Sequence, residues 1–237
     1  MAFSSFADRL PDPNYKITEA GENSASGVAG PGFASVKFSS EQPVSISRTN
    51  SGRVITRSII AQHWTIDITY NPMTRDEFEP VYNFLMEKRG RLKPFFVVLP
   101  QYSSPRTSTS GTISVSGSIT SGDTNFLING MDSVTGGLRP GDMFNFSDSS
   151  NSNHKKIYQV VRVADSTNKL STDSALDSTD ERRLYVVPPI EKDVTSGSTI
   201  IYTNPTFRVI QRSDVQEYSL GTNNLYQFSL QLEEAQP

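Results

Sequence analysis

The chain has 237 residues, 22 basic and 25 acidic side chains for a net charge of −3, a 35% hydrophobic fraction and no cysteine. Folding such a length buries roughly 70–75% of the surface the unfolded chain exposes, so no disulfide or structural metal is required. Disulfide and thiolate chemistry are excluded, the near-balanced charge supplies no field for nucleic acid or an anionic membrane, and the turn-forming composition suits a β-rich protein.

The N-terminus has no basic stretch followed by an apolar one, and no apolar run approaches the ~20 residues needed to span a bilayer, so the sequence predicts a soluble protein made in the cytosol. Residues 1–33 are rich in Gly, Ser, Pro and Asn, as in "EAGENSASGVAGPG". They read as an extended arm, either mobile or ordered against a neighbouring subunit through Leu10, Tyr15 and Ile17. In "PVSISRTNSGRVITRSI", Val44 and Ile46 alternate with serines, and Val54 and Ile55 follow the tip Thr49-Asn50-Ser51-Gly52. This predicts a β-hairpin whose glycine supplies a positive φ. Arg48, Arg53 and Arg57 line it, either as a solvated face or as a surface that blunts an edge and meets a carboxylate on a partner.

"HWTIDITY" alternates, with Trp64, Ile66, Ile68 and Tyr70 on one side, as a half-buried antiparallel strand does. Asn71-Pro72 ends it, and the helix that follows is signalled at both ends. Thr74 and Glu77 have capping-box spacing, and Met73 can staple against Phe78. Phe78, Val81, Tyr82, Leu85 and Met86 make one apolar stripe; Lys88 and Arg89 suit the negative end of the dipole, and Gly90 stands where a left-handed C-cap belongs. "PFFVVLP" lacks alternation and predicts a strand covered on both faces.

Between Ser103 and Asn125, Ile113, Val115 and Ile119 recur among serines and threonines, which predicts a polar-faced strand or hairpin. "LRPGDMFNF", "KKIYQVVRV", "RRLYVVPPI" and "STIIY" add short strands at a spacing that suggests a small closed barrel. The last segment reads as two strands joined near Gly221-Thr222-Asn223-Asn224, with Tyr226, Phe228, Leu230 and Leu232 alternating. The simplest architecture is a discontinuous outer domain, 34–103 plus 204–237, with a β-barrel over 104–203 inserted between its halves.

The usual chemistry-bearing constellations do not assemble. His63 reads as a strand-edge residue bonded to a backbone carbonyl, and His154, in the polar run "SDSSNSNHKK", as solvent-exposed. Neither has zinc-ligand spacing. No nucleophile elbow and no phosphate loop occurs. A glycosidase needs two facing carboxylates, but Asp67, Asp76, Glu77 and Asp142 each have an ordinary structural reading. The acidic run Asp173, Asp177, Asp180 and Glu181 lacks calcium-loop spacing. The expectation is a non-enzyme with no cofactor and no metal. A carbohydrate-binding adhesin module contacting host-surface glycan, with Tyr158, Tyr185 or Tyr202 as an exposed platform on the barrel, is the alternative.

The unit "WTIDITY", then "PMTRDEF" and its helix, then "RGRLKPFFVVLP", resembles the central part of minor tail and distal tail proteins of tailed bacteriophages. "LRPGDMFNF" through "TNPTFRVI" is similar to the barrel inserted in some of them, and "YQFSLQLEEA" to their last strand, so that the resemblance covers residues ~40–237 and leaves the first 33 unmatched. It implies a mainly β fold, a tail-tube-like β-sandwich with one flanking α-helix and an inserted OB/SH3-like barrel. It further implies a virion tail component, synthesised in the host cytoplasm. Such a component would form a ring, typically hexameric, at the distal end of the tail tube and link it to baseplate, hub or tip, with DNA only in transit. Within that reading Arg48, Asn50, Arg53 and Arg57 are the candidate inter-subunit contacts. Trp64, Thr74, Glu77, Phe78, Tyr82, Leu85 and Gly90 define the cap and core of the scaffold.

Overall fold

A computed structural model of the chain describes residues 7–18, 21–58, 62–169, 176 and 179–235. The chain forms two compact units, one from residues 1–97 and 208–236, the other from 98–207. In chain order the first unit contributes β1 (Lys16–Ile17), β2 (Val28–Ala29), β3 (Phe33–Glu41), β4 (Val44–Arg48), β5 (Val54–Ser58), β6 (His63–Tyr70), α1 (Arg75–Lys88) and β7 (Phe95–Val97). The second contributes β8 (Ser114–Ser116), β9 (Asn125–Asn129), β10 (Met143–Ser147), β11 (Tyr158–Ala164), β12 (Arg182–Val187) and β13 (Thr199–Ile201). The chain returns to the first unit with β14 (Phe207–Gln211, whose first residue lies in the second unit), β15 (Tyr218–Leu220) and β16 (Tyr226–Glu234). The protein is mainly β, with one α-helix among the described residues and a closed barrel.

The first unit is built on a six-stranded sheet in the order β3-β6-β16-β14-β7, with β15 paired to the other end of β16. Its two faces differ because the side-chain period of a strand is two. Ile66, Ile68, Leu230 and Leu232 are buried on one face. On the other, the register aligns Ser35, Thr69 and Ser229, then Lys37, Asp67 and Gln231, then Ser39, Thr65 and Glu233. Three strands thus present a face without one apolar side chain.

Helix α1 covers the apolar face. Its capping box forms, with the Glu77 carboxylate accepting the Thr74 amide at 2.9 Å and the Thr74 hydroxyl at 3.0 Å. Phe78 stacks on Tyr226 of β16 at 4.6 Å between ring centroids, Phe84 meets Phe95 of β7 edge-on at 5.4 Å, and Gln211 of β14 donates to the Leu85 carbonyl at 3.2 Å. The buried residues are Phe78, Val81, Phe84, Leu85 and Lys88. The predicted stripe needs correction at two places: Met86 is 52% exposed, and Phe84, not anticipated, is buried. The left-handed C-cap is Arg89, at φ 55°, and Gly90 follows at φ 63°.

The predicted extended arm also differs from what is found. Leu10 is buried within its own unit, where its amide donates to the Phe96 carbonyl at 2.8 Å and the Phe96 amide to the Asp8 carbonyl at 2.7 Å. Ile17 pairs with Val28 in a two-stranded ribbon. Burial of Leu10 and Ile17 offsets the entropy that a glycine-rich segment loses on ordering.

The second unit closes as β10-β11-β12-β9-β8-β13, all neighbours antiparallel, which leaves no free sheet edge. Phe126, Phe144, Phe146, Tyr158 and Leu184 fill it with Ile113, Val115 and Ile119. Of the predicted polar-faced strand only Ser114–Ser116 is regular. No helix among the described residues is long and apolar enough to cross a membrane.

Candidate functional site

The β4–β5 hairpin is the most unusual surface of the first unit. Its register pairs Val44 with Ser58, Ser45 with Arg57, Ile46 with Thr56, Ser47 with Ile55 and Arg48 with Val54. The five residues of the loop between them include Thr49, whose hydroxyl accepts the Arg53 amide at 3.1 Å, and Gly52, at φ 79°. The alternation of Val44 and Ile46 ordinarily marks a face that packs on something. Here both faces of the ribbon are exposed, and Ile46 is 66% accessible. An isolated two-stranded hairpin is marginally stable in water, which makes this exposed ribbon the candidate contact surface. Arg48, Asn50, Arg53 and Arg57 are all exposed, and none of the three guanidinium groups has a side-chain partner among the described residues. Arg48 shares its face with Val44, Ile46 and Val54; Arg57 lies on the other with Ile55.

The remaining predicted residues are scaffold. Trp64 is buried, stacks on Phe38 at 4.8 Å and receives the Glu234 carboxylate at its backbone amide, 3.2 Å away. Phe78 and Tyr82 come together with Tyr218 and Tyr226 in one aromatic cluster, with Phe78–Tyr82 at 5.1 Å and Tyr82–Tyr218 at 5.4 Å. Tyr218 was not singled out from the sequence; its signal is the "EYSL" alternation ahead of the last turn. Leu85 is fully buried, and Gly90 packs against Asp214.

The two histidines sit differently from expectation. His63 lies 3.3 Å from the Glu41 carboxylate that faces it across β3 and β6, where a backbone carbonyl was predicted. His154 is buried, not exposed: the polar loop folds it over the barrel core, where its Nε2 meets the Tyr158 hydroxyl at 2.7 Å. Its pKa is pushed down to about 4, first by burial and then by the Lys192 charge.

The carboxylates of the barrel fasten loops. Asp142 accepts the amides of Arg106 and Arg139 at 2.8 and 2.7 Å, Asp148 those of Ser150 and Thr195 at 2.9 and 3.0 Å, and Asp180 those of Gly130 and Asp132 at 3.1 and 2.9 Å. These hydrogen bonds hold the Asp180 carboxyl below the usual range. Asp173 and Asp177 lie outside the described residues, and no cluster of three potential metal ligands occurs among those described. Two of the three tyrosines proposed as a glycan platform are interior: Tyr158 is fully buried, and the Tyr202 hydroxyl donates to the Gly111 carbonyl at 2.5 Å. The ring of the third, Tyr185, lies under the Arg162 guanidinium at 4.6 Å.

The first unit has a groove of about 730 Å³ beside α1, lined by Ile17 and Val28 of the ribbon and by Asp76, Glu79, Pro80 and Met86 of the helix.

Comparison with known proteins gives these surfaces a context. The family profile described as distal tail protein pb9, A domain, N-terminal, matches residues 10–102. The match begins inside the segment that the sequence reading left unassigned, and it includes Leu10, the ribbon and the hairpin. The distal tail protein pb9 of Escherichia phage T5 is 29% identical over 160 residues, which cover 68% of this chain and 71% of that protein. These two matches make the chain similar to phage distal tail proteins, in line with its mainly β fold.

Proposed function

We propose that the protein is a structural component of the virion, a ring at the distal end of the tail tube that joins the tube to baseplate, hub or tip proteins. The ring is a homo-oligomer, hexameric as in the reading of its sequence, and the protein acts by holding shape, not by catalysis. One observation carries this reading: a hairpin with β-branched side chains on both faces stands in solvent, where a protein partner can cover it. The polar face of the sheet supports it further. Lys37 and Asp67 oppose each other there, Arg212 lies 3.9 Å from Asp67, and Glu233 balances the remaining cation. A lumen wall of that kind carries no net charge, so DNA in transit meets little attraction to hold it.

The test is negative-stain imaging of the purified chain together with immunogold labelling of particles. Closed rings and label at the tip of the tail are expected. A chain that stays monomeric at all concentrations, with label elsewhere on the particle, would overturn the proposal.

A further inference from the structure

The hairpin needs a receiving surface, and the first unit carries one that matches it. Resting on the ring reading, we infer that the β4–β5 hairpin of one copy docks in the groove beside α1 of the next copy. The groove has apolar walls, in which Val28 and Met86 are both more than half exposed, and its carboxylates Asp76 and Glu79 stand at the N-terminal end of α1. Asp76 has no hydrogen-bond partner among the described residues, and Glu79 is held by Arg75, a solvent-exposed pair that another guanidinium can replace. At the opposite end Glu87 is already satisfied by Lys88 and Lys93, each at 2.8 Å, and Arg89 adds positive charge.

The hairpin has the complementary pattern. Between Val44 and Ser58 it holds three arginines and no acidic residue. Val44, Ile46 and Val54 form an apolar stripe that ends in Arg48, with Arg53 beside it in the loop. Laid along the groove, the stripe covers Val28, Pro80 and Met86. The charge pattern gives the direction: the tip arginines reach Asp76 and Glu79, and the opposite direction sets them against Arg89 and Lys93. Donor and acceptor are different patches of one chain, so the contact is heterologous and propagates from copy to copy until the rotation closes.

The absence of cysteine makes a direct test clean. Ile46→Cys and Met86→Cys, placed in separate full-length chains and mixed under mild oxidation, are expected to give a disulfide-linked heterodimer well in excess of either homodimer. In parallel, Arg48→Glu/Arg53→Glu and Asp76→Lys/Glu79→Lys are each expected to weaken self-association by at least about tenfold. Mixed together they are expected to regain assembly, since the unchanged hairpin meets the unchanged groove at one contact and the reversed charges complement each other at the next. Circular dichroism confirms that each variant is folded. Rings of normal size from both charge-reversed chains would leave the ring standing and remove the groove contact. Cross-linking between chains that never close into rings would keep the contact and remove the ring. A mixture that yields no heterodimer overturns the inference.

Discussion

His154 Nε2 lies 2.7 Å from the hydroxyl of Tyr158, and that hydroxyl accepts the backbone amide of Glu191 at 3.0 Å. The buried pair shares one hydrogen bond, which a neutral imidazole can make as donor or acceptor according to its tautomer. Burial, then the charge of Lys192, pushes the His154 pKa from 6.5 to about 4, with Asp148 opposing.

The sign of the pH dependence follows. Between pH 6.5 and about 4 the unfolded chain binds a proton that the folded barrel refuses, so stability is level above 6.5 and falls as pH drops through that window. The full difference is roughly 3 kcal/mol. Asp148, Asp165 and Asp180 all have pKa values below the usual carboxylate range, so their losses come at lower pH. Urea unfolding of the barrel, followed by amide exchange between pH 7 and 4.5, should steepen for the wild type and stay nearly flat for His154→Gln. Equal slopes would show that His154 does not control the acid response.

Asp142 is buried behind the turn before β10, where it accepts two backbone amides. Asp142→Ala leaves the amides of Arg106 and Arg139 without an acceptor, at a cost of about 2–4 kcal/mol to the barrel. Asp142→Asn keeps one acceptor oxygen and should lose less. Chemical denaturation of the three proteins side by side checks the ranking, and an alanine variant as stable as the wild type would refute the fastening role.

What could be read from the sequence was local. The capping box at Thr74 and Glu77, the stop at Gly90 and the hairpin turn at Gly52 involve residues a few positions apart, so their chemistry is visible in a string of letters. Burial of His154 was not visible, because it depends on Tyr158 closing over it and on Phe146 packing alongside, in a loop whose composition is polar. The N-terminal segment was misread for the same reason, since Leu10 is ordered by Phe96, far along the chain. The hairpin shows the converse. Its alternation of Val44 and Ile46 predicts a strand, but the exposure of both its faces is visible only in the structure, and that exposure singles out the candidate surface.

Two glycines with the same backbone requirement should respond differently to alanine. Gly90 (φ 63°) would place a Cβ 2.9 Å from Asp214 Oδ1 and 3.1 Å from Asp214 Cα, while Gly52 (φ 79°) has nothing within 4 Å. Both pay about 1–2 kcal/mol for a left-handed alanine; only Gly90→Ala must also displace the segment that holds the end of α1. Trp64 is the only tryptophan and lies in the first unit, so its fluorescence reports that unit alone. Gly90→Ala should lower the tryptophan-detected stability by more than about 2 kcal/mol, and Gly52→Ala, in an unsupported hairpin, should barely move it. A larger effect at Gly52 would mean that the hairpin is part of the cooperative core.

Lys88 ties the N-terminal segment to the helix. Its Nζ donates to the Ala7 carbonyl at 3.1 Å, pairs with Glu87 at 2.8 Å and lies 4.6 Å from the centre of the Phe84 ring. Burial raises the Glu87 pKa, but the hydrogen bonds from Lys88 and Lys93 outweigh it and hold the carboxyl below its ordinary value. Lys88→Met keeps the aliphatic stem against Phe84 and removes the donor from Ala7, while Lys93 still satisfies Glu87. The loss should therefore stay local. The amides of Leu10 and Phe96, which bridge the segment to β7, should exchange at least about tenfold faster, equivalent to roughly 1.4 kcal/mol of local opening. Amides of Ile68 and Leu230 at the centre of the sheet should keep their protection. Uniform acceleration across all four would show that Lys88 supports the whole unit and does not act as a latch for its first strand segment.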